Sequence, residues 1–431
     1  MDMKKLISTL AFGMAALTGV ATAQTYAITN GHLMMTGDAA DPGEIVNGTV
    51  IIRDGVIVAA GRNVTIPDNA EVYDAGGAPV TPGLFSPISG LALEEIELAD
   101  DANDRRVGGF PLSASLKAAD AINPDSTVIP VSRSAGVTRA HVGLLAGGDT
   151  QFGGCGALIV LDGSMDPLIK ECAAQTALLG YSGARRAGDN RAASIAMFRR
   201  ALTDARNYAR DPYLYNQRWT EGHLPAEDAD ALGDVLSGDV PIIISAFSAP
   251  DIRRTLDLAD EFGFDLILYG AVEAWRVADE IAAADVPVII DPMTNLPYLW
   301  EDMGATLANA ARLEEAGVDV AFANGETHNI RLMPQMAGNA VANGMSHLGA
   351  LAAITAVPAR IFGVEDQLGT LAPGKAADVV VWTGDPLELS SRPRVIFIDG
   401  KPQSLDSRQS ALVKRYRNLE RRDLPTQYYG Q

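Results

Sequence analysis

Five histidines, His32, His141, His223, His328 and His347, and two cysteines, Cys155 and Cys172, carry the imidazole and thiol chemistry available to this 431-residue chain. His328 is the best placed of them. It lies in "VAFANGETHN", just past an apolar run with the character of a buried strand, and Glu326 and Asn329 flank it. An imidazole beside a carboxylate can hold or move a proton near neutral pH. The alternative is a loop histidine bonded only to backbone. Glu273, in "LILYGAVEAW", also follows an apolar run. It can serve as a base, as an acceptor for a ligand amine, or as a first-turn carboxylate favouring the helix that starts at Ala274. His141, in "VTRAHVGL", reads as a core histidine, with a role inside a barrel as the other option. No nucleophile-elbow motif and no Cys–His pairing stands out. "LAGGDTQFGGCGA" is rich in glycine without the spacing of a phosphate cradle, and reads as a loop reaching over a site.

The elements that must position these residues fall into four stretches. Residues 24–80 carry strands and tight turns, with "TVIIRDGVIVAAG" a hairpin about Asp54-Gly55. From 81 to 365, short apolar runs ("DVPIIISAF", "FDLILYGA", "DVPVIIDP", "GVDVAFAN") alternate with Ala-rich amphipathic segments. Apolar strands between helices imply a parallel sheet buried on both faces, and their number implies a (β/α)8 TIM-type barrel. Residues 366–404 return to strands around Pro373-Gly374 and Asp399-Gly400, so the two β-rich ends are expected to pair in a small composite β-sandwich. Residues 405–431 hold Leu412, Val413, Tyr416 and Leu419 at helical spacing, the pattern of a docking helix.

Bulk properties narrow the function classes. A formal charge of −20 repels phosphate backbones, which argues against a nucleic-acid partner. Residues 1–23 combine Lys4 and Lys5, an apolar run and Ala21-Thr22-Ala23, the signature of a signal peptide cleaved near Ala23. The expected compartment is the periplasm or the exterior, with no membrane span in the mature chain. There, a hairpin turning at Asp162-Gly163 brings Cys155 roughly opposite Cys172, as a disulfide or as two buried thiols.

"TPGL" at 81–84, "AGNAVANGMSHLGALAAITAVPARIFG" at 337–363 and "LGTLAPGKAADVVVW" at 368–382, in that order, resemble the amidohydrolase superfamily. Within it the chain is similar to the imidazolonepropionase-like and Xaa-Pro-dipeptidase-like branch. The resemblance covers nearly the whole mature chain and implies a metal-binding barrel with a composite β-domain. It also implies hydrolysis of C–N bonds by one or two divalent metals such as zinc, which activate a water. The family pattern places His-x-His three residues after Pro82-Gly83-Leu84. This chain has Ile88, Ser89 and Gly90 there. The next ligand positions match Ser245 and Tyr269, and the last-strand aspartate matches Asn324, with Glu326 close by.

The resemblance therefore implies a barrel mouth whose ligand positions, Ser89, Ser245, Tyr269 and Asn324, touch substrate instead of metal, with no metal or other cofactor expected. His328, Glu273 and Glu326 are the candidate catalytic groups. Three functions remain open: a C–N hydrolase with a reduced site, a barrel binding a small molecule or short peptide, and a partner subunit of an active paralogue. A homodimer is compatible with each.

Overall fold

The computed structural model describes residues 24–37, 43–107, 113–148, 150–220 and 222–417. The expected leader and Leu419 lie outside them.

Five strands open the chain: β1 (Thr25–Met34), β2 (Glu44–Arg53), β3 (Val56–Gly61), β4 (Glu71–Asp74) and β5 (Pro79–Pro82). The β2–β3 turn uses Asp54 at φ +52° and Gly55 at φ +83°. Both central residues are left-handed, the geometry that favours Asp-Gly in a two-residue hairpin. Eight strands then build the barrel: β6 (Leu84–Ser89), β7 (Val137–Val142), β8 (Phe152–Val160), β9 (Leu168–Leu178), β10 (Ile242–Ala246), β11 (Leu266–Gly270), β12 (Val288–Ile290) and β13 (Val320–Phe322). Three short strands follow, β14 (Val379–Trp382), β15 (Pro393–Ile398) and β16 (Lys401–Pro402).

The outer domain is composite, as expected. Its strands form one hydrogen-bonded sheet in the order β16-β15-β14-β5-β1-β2-β3, with β4 alongside β1. The sheet curls so that β3 also meets the segment before β14, where Ile57 N–H donates to the Lys375 carbonyl at 2.9 Å. Tyr26, Ile28, Leu33, Val50, Val379 and Phe397 fill the space it encloses. The "TPGL" stretch is the crossing between domains: Thr81 and Pro82 pair with β14, and Leu84 begins the barrel. Gly83 has no side chain because a Cβ there would collide with Thr138.

The barrel departs from eight strand–helix units in one respect. β8 runs antiparallel to both β7 and β9, and every other neighbouring pair in the barrel sheet is parallel. The connection at 161–167, with Gly163 at φ +84°, is too short for a crossover, and a short connection forces an antiparallel pair. "FGGCGA" therefore belongs to a buried strand, and only the residues before it form a loop. That hairpin carries a Cys155–Cys172 disulfide, with Cα atoms 5.3 Å apart. β13 and β6 do not hydrogen-bond directly. Ala353 and Ile354 stand between them, accepting from Phe322 N–H (3.2 Å) and Phe85 N–H (2.8 Å). The C-terminal helix, Arg408–Tyr416, lies against the helix Val128–Ser134 with none of its residues fully buried, and Leu419 of its apolar stripe lies outside the described residues. Among the described residues no helix is long and apolar enough to cross a membrane.

One buried ion pair joins the domains. Arg139, on β7, donates to both carboxylate oxygens of Asp378 at 2.6 and 2.9 Å, and to Asp399 at 2.5 Å. The Asp378 side chain also accepts from Asp399 N–H, and its carbonyl accepts from Gly83 N–H. These carboxylates raise the Arg139 pKa against the opposing cost of burial. Thus the aspartate of "GKAADVVVW" is the buried counter-charge that fixes the outer sheet on the barrel. Removing one partner of such a pair leaves an uncompensated charge. Asp378→Asn should lower unfolding free energy by about 3–5 kcal/mol in chemical denaturation.

Candidate functional site at the barrel mouth

A cavity of about 270 Å³ opens where the parallel strands end. Six of the eight strands contribute: Ile88 from β6, His141 from β7, Thr176 from β9, Ser245 from β10, Tyr269 from β11, and Asn324 after β13. The segment after β6 folds back to add Glu94, Glu97, Arg105 and Arg106, while Leu144, Leu145 and Ala146 form one wall. That wall is the loop expected to reach over the site, although only its residues before β8 take part.

The cluster beside Gly90 sets the character of the mouth. The Arg105 guanidinium is buried, donates from Nη1 to the Gly325 carbonyl at 2.7 Å, and stands 3.7 Å from Glu94 Oε2. That same Glu94 oxygen accepts from the Thr327 hydroxyl at 2.6 Å. A Cβ built on Gly90 would lie 2.7 Å from Arg105 Cδ and 3.0 Å from Glu94 Oε2, and closer still to the Thr327 hydroxyl. Position 90 therefore has no room for a side chain of any kind. Burial lowers the Arg105 pKa while Glu94 opposes the shift, and a guanidinium so placed stays charged.

Several candidate residues do line the cavity. Ser245 is buried there, and Asn324 accepts from the Glu326 N–H at 3.1 Å. Tyr269 is also in the lining, and burial raises its phenol pKa, so it remains protonated. Glu326 and His328 are on the exposed rim. Glu326 accepts from the Asn329 side chain, and no hydrogen bond joins it to His328 among the described residues. The pair is not built as a proton relay.

Two candidates are elsewhere. The Ser89 hydroxyl donates to the His141 carbonyl at 2.8 Å and is spent on holding β6 to β7, so it does not reach the cavity. Glu273 is buried away from the mouth. Its carboxylate accepts from Ala249 N–H (3.0 Å) and Gly304 N–H (2.9 Å) and pairs with Arg276 at 3.0 Å. It fastens the helix that starts at Ala249, one strand earlier than the helix its sequence position suggested. Sequence reasoning passed over Arg105 and Thr327. Asp291, just after β12, was also missed. Burial raises its carboxyl pKa, and nearby Glu326 adds to the shift. The signal for Arg105 was present as a basic pair closing an acidic loop straight after the first barrel strand.

Of the other histidines, His32, His223 and His347 are paired with Glu44, Asp204 and Asp385 away from the cavity. His141 is 1% exposed and stacks on Phe362 with ring centres 4.7 Å apart. Burial, reinforced by the Arg105 charge and opposed by the Pro87 carbonyl, pushes its pKa down to about 3. It is neutral in the folded protein and titrates near 6.5 when unfolded. Between those values the unfolded chain binds the extra proton, so stability falls as pH drops from 6.5 towards 3. At pH 4 the loss due to His141 should be on the order of 3 kcal/mol relative to pH 8. His141→Gln should flatten that part of the stability–pH curve, measured by urea unfolding at each pH.

Residues 301–407 match the model of the amidohydrolase family. The chain is 26% identical over 398 residues to the imidazolonepropionase of Mesorhizobium japonicum, covering 83% of this chain and 92% of that one. It is 25% identical over 399 residues to amidohydrolase tasK of Hapsidospora irregularis, but spans only 40% of that longer protein. A solved amidohydrolase from Thermotoga maritima superposes with a TM-score of 0.76 at 25% identity, over 88% of this chain and 99% of the other. Residues 301–407 thus carry an amidohydrolase-family match, and the rest of the chain is similar in sequence and fold to amidohydrolases.

Proposed function

We propose that this protein binds a small molecule or short peptide at its barrel mouth, and that it does so without the family's metal-activated water. The observation that carries the reading is the cluster at Gly90. The second position of the His-x-His pattern has no space for imidazole, because Arg105, Glu94 and Thr327 pack into it. The first position is Ile88, and the remaining positions, Ser245, Tyr269 and Asn324, offer hydroxyls and an amide in place of imidazole and carboxylate. A buried guanidinium is also a poor neighbour for a divalent cation. Among the described residues no three His, Cys, Asp or Glu side chains group closely enough to hold an ion. The residues present do not fit the zinc-type site of the family, and no step is routed through one.

Hydrolysis of a stable amide would then rest on His328 and Glu326, which no hydrogen bond joins. An open cavity lined by polar and apolar groups supports ligand binding over the partner-subunit reading, which calls for a filled mouth. We also read the chain as exported, on the leader signature of residues 1–23, and the Cys155–Cys172 bond supports an oxidising compartment.

Elemental analysis tests the central part. Protein purified without chelator or affinity histidines, incubated with zinc or manganese and then desalted, should retain less than about a tenth of an equivalent, against the one or two ions of a working family site. Retention near one equivalent would overturn the reading.

A further inference from the structure

The segment after β12, residues 292–304, has its polarity inside out. From Pro292 to Trp300 it carries no charged residue, in a chain that is 20% charged. Leu296, Tyr298, Trp300 and Met303 are 75%, 92%, 86% and 58% exposed, and Met293 is exposed as well. Among the described residues no other stretch of this length exposes more than three large apolar side chains. The two carboxylates of the segment, Glu301 and Asp302, point the other way and are 3% and 6% exposed. Glu301 accepts from the Tyr181 N–H at 2.9 Å and from Arg191 at 3.0 Å, and Asp302 accepts from the Leu299 N–H at 3.0 Å. Even so, Glu301 Oε1 and Asp302 Oδ1 have no hydrogen-bond partner among the described residues. Burying carboxylate oxygens without donors is costly, and so is leaving large apolar groups in water. The segment is also held in shape. Pro292 and Pro297 stiffen it, and at its far end Gly304 N–H donates to Glu273 while the Gly304 carbonyl accepts from the Trp275 indole at 2.8 Å. Its outer face is therefore preformed, which lowers the entropy cost of covering it.

We propose that this face docks a second copy of the chain across a two-fold axis. Covering the Tyr298 and Trp300 rings alone removes about 300–500 Å² from water. With Leu296, Met293 and Met303 added, the face approaches the roughly 800 Å² per partner that a specific interface buries. Aromatic residues and Met are enriched at interface centres and charged residues are depleted there. Arg191 and Asp251, paired at 3.3 Å beside Glu301, supply a polar edge. Two chains that each carry −20 repel one another, so they meet where charge is lowest. A two-fold contact sets this uncharged face against its own copy. A lipid surface fits less well, because residues 292–304 hold no Lys or Arg to meet phosphate and the chain's charge opposes anionic headgroups. The proposal is separate from the ligand-binding reading of the mouth.

Sedimentation velocity of residues 24–431 is the test. At about 10 μM the chain should run as a dimer, since interfaces of this size bind at micromolar affinity or better. Trp300→Glu and Tyr298→Glu should each raise the dimer dissociation constant about thirtyfold or more, the loss expected at a hot spot. Leu389→Glu changes an apolar residue that is 73% exposed elsewhere, and should leave the constant unchanged. Circular dichroism checks that each variant is folded. If either Glu variant is not, hydrogen–deuterium exchange of the unaltered chain decides, with residues 293–303 protected at high concentration and open at low. A monomer at about 10 μM would overturn the proposal, as would a dimer that survives both Glu substitutions or the absence of concentration-dependent protection. A monomer that floats with phosphatidylcholine vesicles, and no longer does so as Trp300→Glu, would overturn it in favour of lipid.

Discussion

A glycine that cannot be anything else governs the mouth of this barrel. Gly90 faces three side chains, Arg105, Glu94 and Thr327, which together occupy the volume a Cβ would need. The arrangement is mutual: the absence of a Cβ at position 90 leaves room for the Arg105 chain, and Arg105, Glu94 and Thr327 as packed leave no room for a side chain there. Glu94 and the Gly325 carbonyl hold the guanidinium in place, and the segment after β6 returns to the mouth to deliver both charges. The local electrostatics follow from that packing. The Arg105 charge sits at the strand ends with Glu94 beside it, and His141, buried next to the pair, is driven neutral.

The rest of the fold serves to hold those strand ends in register. β7 carries two demanding residues two positions apart, Arg139 and His141, which serve different tasks. Arg139 reaches Asp378 and Asp399 and ties the outer sheet to the barrel. His141 lines the cavity and stacks on Phe362. Ser89 locks β6 to the same strand through the His141 carbonyl. The antiparallel β8 and its disulfide replace one strand–helix unit with a stapled hairpin, and the residues leading into it supply the apolar wall of the cavity.

Much of this was legible in the residues themselves. Apolar runs alternating with amphipathic segments implied the barrel, Asp54-Gly55 marked the β2–β3 hairpin of the outer sheet, and the cysteines were placed across the right turn. Ser245, Tyr269, Asn324, Glu326 and His328 were all placed at the mouth. The misses share a physical cause. Ser89 and Glu273 lie where strand and loop meet, and a rotation of one residue decides whether such a side chain meets solvent or backbone. Glu273 turned to two backbone N–H groups and Ser89 to a carbonyl. Arg105 was hidden because a basic pair at the end of an acidic loop has the pattern of a solvated surface. Only the three-dimensional return of that loop to Gly90 buries it. The β8–β9 hairpin was legible at Asp162-Gly163, but its place inside the barrel sheet was not, because a buried strand has the same apolar pattern in either direction.

The most direct measurement is a crystal structure of residues 24–431 grown with excess zinc, with diffraction collected on both sides of the zinc absorption edge. The account predicts the Arg105 guanidinium packed beside Gly90, bonded to the Gly325 carbonyl, with no anomalous peak in the mouth. A strong peak there, with Arg105 swung out and Asp291, Glu326 or His328 turned towards the ion, would contradict it.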